Sequence, residues 1–189
     1  MIKTKKIKTQ DSPKLSDDEE EDDQMEENEK KPKIDPRLTM TEEEAMALKN
    51  QGAIGQGTFG VVYKALNPRT RQVYAVKRIL LDSEIDNREF DLVASLNHKN
   101  CVKIHGYHKG TSSGTPREDG KVFRYIVMDF FPENLYKFIR YYDKMQVAFP
   151  EALVKIYAYQ LIRGLHYLKI RKICHRDVKP PNILVNTKD

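Results

Sequence analysis

Residues 52–80 hold three apolar, β-branched runs with very little between them. G-A-I-G-Q-G-T-F-G-V-V-Y-K-A-L folds about a glycine turn, and after N-P-R-T-R-Q comes V-Y-A-V-K-R-I-L. Runs of this kind joined by short polar turns predict an antiparallel meander. Asp82 and Ser83 suit a helix cap, and Ile85, Glu89, Leu92, Val93 and Leu96 then recur at three- and four-residue spacing, which predicts one helix. C-V-K-I-H-G-Y and K-V-F-R-Y-I-V-M read as two more strands around a Gly, Ser and Pro-rich loop at 111–120. Beyond Pro132 the period turns helical: Leu135, Phe138, Ile139, Tyr142 and Met145 mark one helix. Leu153, Tyr157, Leu161, Leu165 and Leu168 mark a longer one after Pro150. The expected class is α+β in two lobes: a five-stranded antiparallel sheet with one helix, then the first helices of an incomplete helical lobe.

Ahead of this lies a segment that cannot join a core. S-D-D-E-E-E-D-D-Q-M-E-E-N-E, from Ser16, is a like-charge block with no apolar face, so residues 1–45 are expected to be a disordered charged tail. Ser16 before three acids reads either as an acid-directed phosphorylation site or as part of a plain solubilising tail, and Lys3 to Lys8 either as a weak nuclear signal or as the same tail. The chain has 189 residues, enough for one domain beside such a tail. Its net charge of +5 is uneven, since residues 1–33 carry 8 basic and 11 acidic side chains and the remainder carries +8. That surplus suits phosphate-bearing ligands or acidic substrates, or is simply a lysine-rich surface. Two cysteines, Cys101 and Cys174, have no zinc spacing and read as free thiols in a reducing cytosolic or nuclear compartment. No apolar run approaches the ~20 residues of a membrane span, and the start has no apolar signal core.

The glycine turn, Gly55-Gln56-Gly57-Thr58-Phe59-Gly60-Val61-Val62, would let backbone N–H groups approach phosphates. More strand follows it rather than a helix, and no Gly-Lys-Ser/Thr follows, so neither a dinucleotide fingerprint nor a P-loop fits. A flap between antiparallel strands remains. Alternation puts Val73, Ala75 and Lys77 on one strand face. Lys77 there is either a snorkelling edge lysine or the partner of a buried carboxylate. Glu89 falls inside the apolar stripe of the predicted helix, where an unpaired carboxylate would cost several kcal/mol. The two misplaced charges explain each other as an ion pair under the flap, holding Lys77 toward phosphates; the other reading leaves Glu89 on the stripe's edge.

Near the end stands H-R-D-V-K-P-P-N, residues 175–182. Asp177 is placed to accept or orient a hydroxyl proton, Lys179 to neutralise a γ-phosphate, and Asn182 to ligate magnesium. Cys174 and His175 do not form a nucleophile and base, because adjacent residues on an extended segment point apart. Cys174 is expected to be buried and inert, and His175 to be a packed histidine.

Gly55-x-Gly57-x-x-Gly60-x-Val62, A-V-K at Lys77, Glu89, and H-R-D-x-K-x-x-N together resemble a eukaryotic protein kinase over about residues 50–189. Lys179, two residues after Asp177, resembles the serine/threonine rather than the tyrosine branch. N-R-E at 87–89, V-M-D-F-F-P-E-N-L-Y-K at 127–137, Y-A-Y-Q-L-I-R-G-L-H-Y-L at 157–168 and I-C-H-R-D-V-K-P resemble the glycogen synthase kinase 3 family. That likeness implies an ATP- and Mg2+-dependent kinase with an N-lobe over about 46–128, a hinge at 129–133 and the start of a C-lobe at 134–189. It implies Met128 as gatekeeper, adenine bonded by the backbones of Asp129 and Phe131, and a ring sandwich of Ile54, Val62, Ala75 and Leu184. It also implies protein substrates already carrying phosphate, bound by Arg88 and Arg176, or else those two are ordinary surface arginines. Neither nucleic acid nor membrane is an implied partner.

The sequence departs from that family in three places. No Arg-x-x-Ser stretch stands in the tail, so pseudosubstrate control is not expected. Pro181 removes one N–H from the catalytic loop and stiffens it. The family's Asp-Phe-Gly aspartate would fall beyond Asn182 and is not reached, so a truncated kinase domain is expected. The alternative function is an inert fragment that binds nucleotide or a protein.

Overall fold

The computed structural model describes residues 35–57, 60–81, 90–111 and 120–187. The predicted tail to residue 34, Thr58 and Phe59 of the glycine turn, and Arg88 and Glu89 lie outside them.

Five strands form one antiparallel sheet: β1 Lys49–Gly57, β2 Gly60–Leu66, β3 Val73–Leu80, β4 Ile104–Thr111 and β5 Val122–Asp129, in the order β1-β2-β3-β5-β4. The first three make the expected meander. The turn between β2 and β3 is tied by Asn67, whose carbonyl accepts from the Arg71 N–H at 2.8 Å and whose side chain accepts from the N–H groups of Arg69 and Thr70. Cross-strand register lines up Val62, Lys77, Ile126 and Tyr107 in one row, and Lys64, Ala75, Met128 and Ile104 in the next. Rows two residues apart share a face. On that face Ile104 and Ile126 meet Phe90 of the helical residues 90–94, with Ile79, Val93, Ala94, Tyr107 and Met128 packed around them. The guanidinium of buried Arg124 stacks 4.2 Å from the Phe90 ring centroid.

Order begins earlier than residue 46. Residues 36–38 form a 3-10 turn, and Thr39 bridges to Tyr107 of β4. Met40 donates its N–H to the Tyr107 carbonyl at 2.9 Å. Helix α1, Glu42–Met46, starts with a reciprocal capping box between Thr41 and Glu44. Met40 packs where Gly106 has no side chain: a Cβ there would stand 2.6 Å from Met40 Cγ. The expectation of a disordered tail to residue 45 is corrected on this account, because residues 35–46 form a strap along β4.

After β5, residues 130–132 lead to β6, Glu133–Asn134, which pairs with β7, Leu184–Val185. Asn134 caps α2, Leu135–Lys144, by accepting the Lys137 N–H at 2.9 Å. Helix α3 spans Glu151–Ile170. Phe138 and Tyr142 of α2 meet Phe149 edge-on, and Phe138 also meets Tyr157 of α3. The sheet and α3 are joined at residues 97–100: the His98 and Tyr167 rings stack at 4.8 Å, and the Tyr167 hydroxyl accepts the Asn97 N–H at 2.9 Å. No described helix is long and apolar enough to cross a membrane.

Candidate functional site

The glycine turn does what its composition requires. Gly60 has φ +125°, and a Cβ there would meet the Arg78 carbonyl oxygen at 2.0 Å, so only glycine lets β2 leave the turn this close to β3. Gly57 has no neighbour within 4 Å of such a Cβ, and Gly55 only Val62 at 3.9 Å. Ile54, Gly55, Gln56 and Gly57 all lie on the exposed β1, which forms an open roof. The register places Val62 opposite Gly55 on one side and Lys77 on the other, and Ala75 opposite Met128. Val62, Ala75, Lys77 and Met128 therefore share one face of the sheet, of which alternation in the sequence predicts Ala75 and Lys77, while Val61 points to the other face. Lys77 is half-buried and engaged by a neighbouring group. Its expected ion pair with Glu89 lies outside the described residues.

Asp129 closes β5. Its N–H is donated to the Lys103 carbonyl at 3.1 Å, so the contribution expected of its backbone toward a base falls to its carbonyl and to Phe131. Leu184 stands across the β6/β7 ladder from Asn134, which ties residue 184 to the chain that leaves β5. The Leu135 N–H donates to the Ile183 carbonyl at 2.7 Å and extends that tie.

The loop before β7 gathers the other charges. One Asp177 carboxylate oxygen lies 2.9 Å from Lys179 Nζ and the other accepts from Asn182 Nδ2 at 2.8 Å. The same Nδ2 donates to the Asp177 carbonyl at 2.9 Å. Lys179 beside it holds the Asp177 carboxyl below the usual carboxylate range; desolvation opposes this, and Asn182 adds to the lowering. Both Asn182 bonds use its nitrogen, which leaves Oδ1 as the atom able to face a cation. Among the described residues no three His, Cys, Asp or Glu side chains cluster as a metal site. His175 accepts the Asp177 N–H at 3.3 Å on Nδ1, and burial pushes its pKa below the ordinary 6.5, as befits a packed neutral imidazole.

Side chains at 173, 175 and 177 are half-buried, and those at 174 and 176 exposed. The expected burial of Cys174 is thus corrected: extended alternation turns its thiol outward with Arg176. Arg176 adopts φ 61°, in the left-handed region, and its expected partner Arg88 is not described. A groove of about 380 Å³ lined by His98, Ile162, Arg163, His166, Tyr167 and Ile170 contains none of the candidate residues. The sequence reading missed the strap and the polar contacts of Asp129 with residues 103–105. For the strap, the signal was present in Thr41-x-x-Glu44.

Residues 48–189 match the family described as protein kinase domain. The chain is similar to Glycogen synthase kinase 1 of Pyricularia oryzae, at 36% identity over 133 residues, which is 70% of this chain and 33% of that protein. The chain thus spans about one third of the length of this curated relative.

Proposed function

The chain belongs to the protein kinase family, and from that premise we propose that it binds ATP beneath the β1–β2 glycine turn and directs the γ-phosphoryl group to serine or threonine hydroxyls of proteins. The observation that carries this reading is the Asp177 carboxylate held between Lys179 and Asn182, in a loop tied through β6 and β7 to the strip that leaves β5. Asp177, kept ionised, accepts or orients the proton of the attacking hydroxyl. The new O–P bond forms as the bond to ADP breaks, with that proton passing toward Asp177. Lys179 and Lys77 supply positive charge toward the phosphates, Lys77 in the proposed pair with Glu89. Magnesium, when bound, neutralises phosphate charge, and Asn182 is the residue that would hold it. Adenine lies between Ile54, Val62, Ala75 and Leu184, with Met128 behind it, and bonds the backbones of Asp129 and Phe131.

On the resemblance to the glycogen synthase kinase 3 family, the proposal extends to substrates that already carry phosphate, received by Arg176 and Arg88. The test is transfer from radiolabelled ATP to a serine peptide, with and without a phosphorylated serine nearby. Asp177→Asn is expected to lower transfer roughly 10²- to 10⁴-fold while leaving nucleotide binding in place. A chain that binds no adenine nucleotide, or an Asp177→Asn variant as fast as the parent, would overturn the reading.

A further inference from the structure

Asp129 is the last residue of β5, and residues 103–105 hold all of its polar groups except its carbonyl. Its N–H reaches the Lys103 carbonyl at 3.1 Å, one carboxylate oxygen lies 3.3 Å from the Lys103 N–H, and the other lies 2.6 Å from His105 Nε2. His105 in turn sits edge-on to Tyr74 of β3, with ring centroids 5.1 Å apart. Strand β4 pairs Ile104 with Met128 and then Gly106 with Val127, so His105 is one extra residue on its strand. Such a bulge re-aims a side chain. Here it delivers the imidazole to the Tyr74–Asp129 cross-strand pair, on the sheet face opposite Ala75 and Met128.

We propose that His105 is a positioning residue for nucleotide binding: clamped on the bulge, it fixes Asp129 and through it the backbone strip from 129 to 131 that meets the base. The inference rests on the proposed ATP site and deepens it. A short bond between imidazole and carboxylate is worth more than a neutral one, and it joins two strands at the point where the sheet gives way to an irregular connection. Without it, Asp129 keeps its bonds to the Lys103 backbone, one of them through a carboxylate oxygen, but the other carboxylate oxygen loses its tie to β4. A base binding to the strip must then order backbone that the native clamp already holds, and affinity falls without loss of the binding groups.

The experiment measures binding of a fluorescent ADP analogue to the full 189-residue chain, together with amide hydrogen exchange in peptides covering 128–134. His105→Ala is expected to weaken binding roughly fivefold to tenfold and to speed exchange in that window. His105→Gln, whose amide N–H can reach Asp129, is expected to restore most of both. If His105→Ala does not fold, His105→Phe keeps a ring against Tyr74 without a donor and serves in its place. Unchanged affinity or unchanged exchange in the donor-less variant, or equal defects in the Gln variant, overturns the inference while the ATP site stands. Absence of binding by the parent chain removes the ATP site itself, and the inference with it.

Discussion

The sheet and the helices that follow it bury their apolar side chains very differently. Seven buried hydrophobic residues, Ala65, Ala75, Phe90, Ile104, Phe123, Ile126 and Val127, belong to the sheet and the helical turn on it. Past residue 130, among the described residues, only Leu168 and Val185 join them, and Val154, Ile156, Tyr159, Ile162 and Ile170 of α3 are all exposed. The half of the candidate site proposed to bind nucleotide therefore stands on a packed core. Its chemical half, Asp177 to Asn182, stands on a few polar bonds and a two-residue ladder. Stability and chemistry are separable in this molecule, and substitutions can be chosen to strike one without the other.

The largest effect is expected where core and site meet. Phe90→Ala removes the ring that seats the helical turn on Ile104 and Ile126 and faces the Arg124 guanidinium, and is expected to cost about 3–5 kcal/mol. Ile162→Ala on α3, 64% exposed, should stay within about 0.5 kcal/mol. Urea unfolding of both variants checks the contrast, and equal losses would show that the two regions share one core.

A glycine pair sharpens the same contrast within the nucleotide half. Gly60→Ala forces a Cβ onto the Arg78 carbonyl at φ +125°, which is expected to cost at least the roughly 1–3 kcal/mol of a strained backbone. Gly57→Ala meets nothing and should leave the unfolding midpoint nearly unchanged, so any nucleotide affinity it loses reports the phosphate approach alone.

The chemical half should answer to pH instead. The folded pKa of Asp177 is depressed, so it binds fewer protons folded than unfolded near its ordinary 3.8, and its contribution is present above that value and lost as pH falls through the folded pKa. Lys179→Met removes the largest cause and should bring the carboxyl pKa back up toward 3.8, as read by NMR titration. The pKa of His175 is lowered by burial, so the unfolded chain binds the extra proton first. Stability is expected to fall as pH drops from 6.5 toward its folded pKa, a trend that His175→Gln should remove.

How much of this was legible depended on whether the cause was local. The five strands of the sheet, α2 and α3 follow from side-chain period, and the shared face of Val73, Ala75 and Lys77 follows from alternation, while the placing of Val62 on that face depends on the pairing of β2 with β3. The motif in 175–182 identifies its polar residues, but not that the Asn182 nitrogen is engaged by Asp177, which depends on how the loop curls after Lys179. The bulge at His105 leaves no mark in C-V-K-I-H-G-Y, because it arises from pairing with β5. Cys174 was misplaced because an apolar residue type was weighed above the alternation that governs its neighbours.

The strap along β4 gives the smallest test, and it bears on where the packed region starts. Acidic composition up to Glu29 says nothing of Thr41-Glu42-Glu43-Glu44, where the Glu44 N–H donates to the Thr41 hydroxyl oxygen and the Glu44 carboxylate accepts from the Thr41 N–H. Thr41→Ala deletes one of these bonds and is expected to cost about 1 kcal/mol, confined to the strap. Amide exchange should quicken at residues 41–47 and at Met40, whose N–H is bonded to Tyr107, while the rows of β2, β3 and β5 keep their protection. Equal quickening across the sheet would instead make the strap part of the core, and would extend the packed region drawn above to residues 35–46.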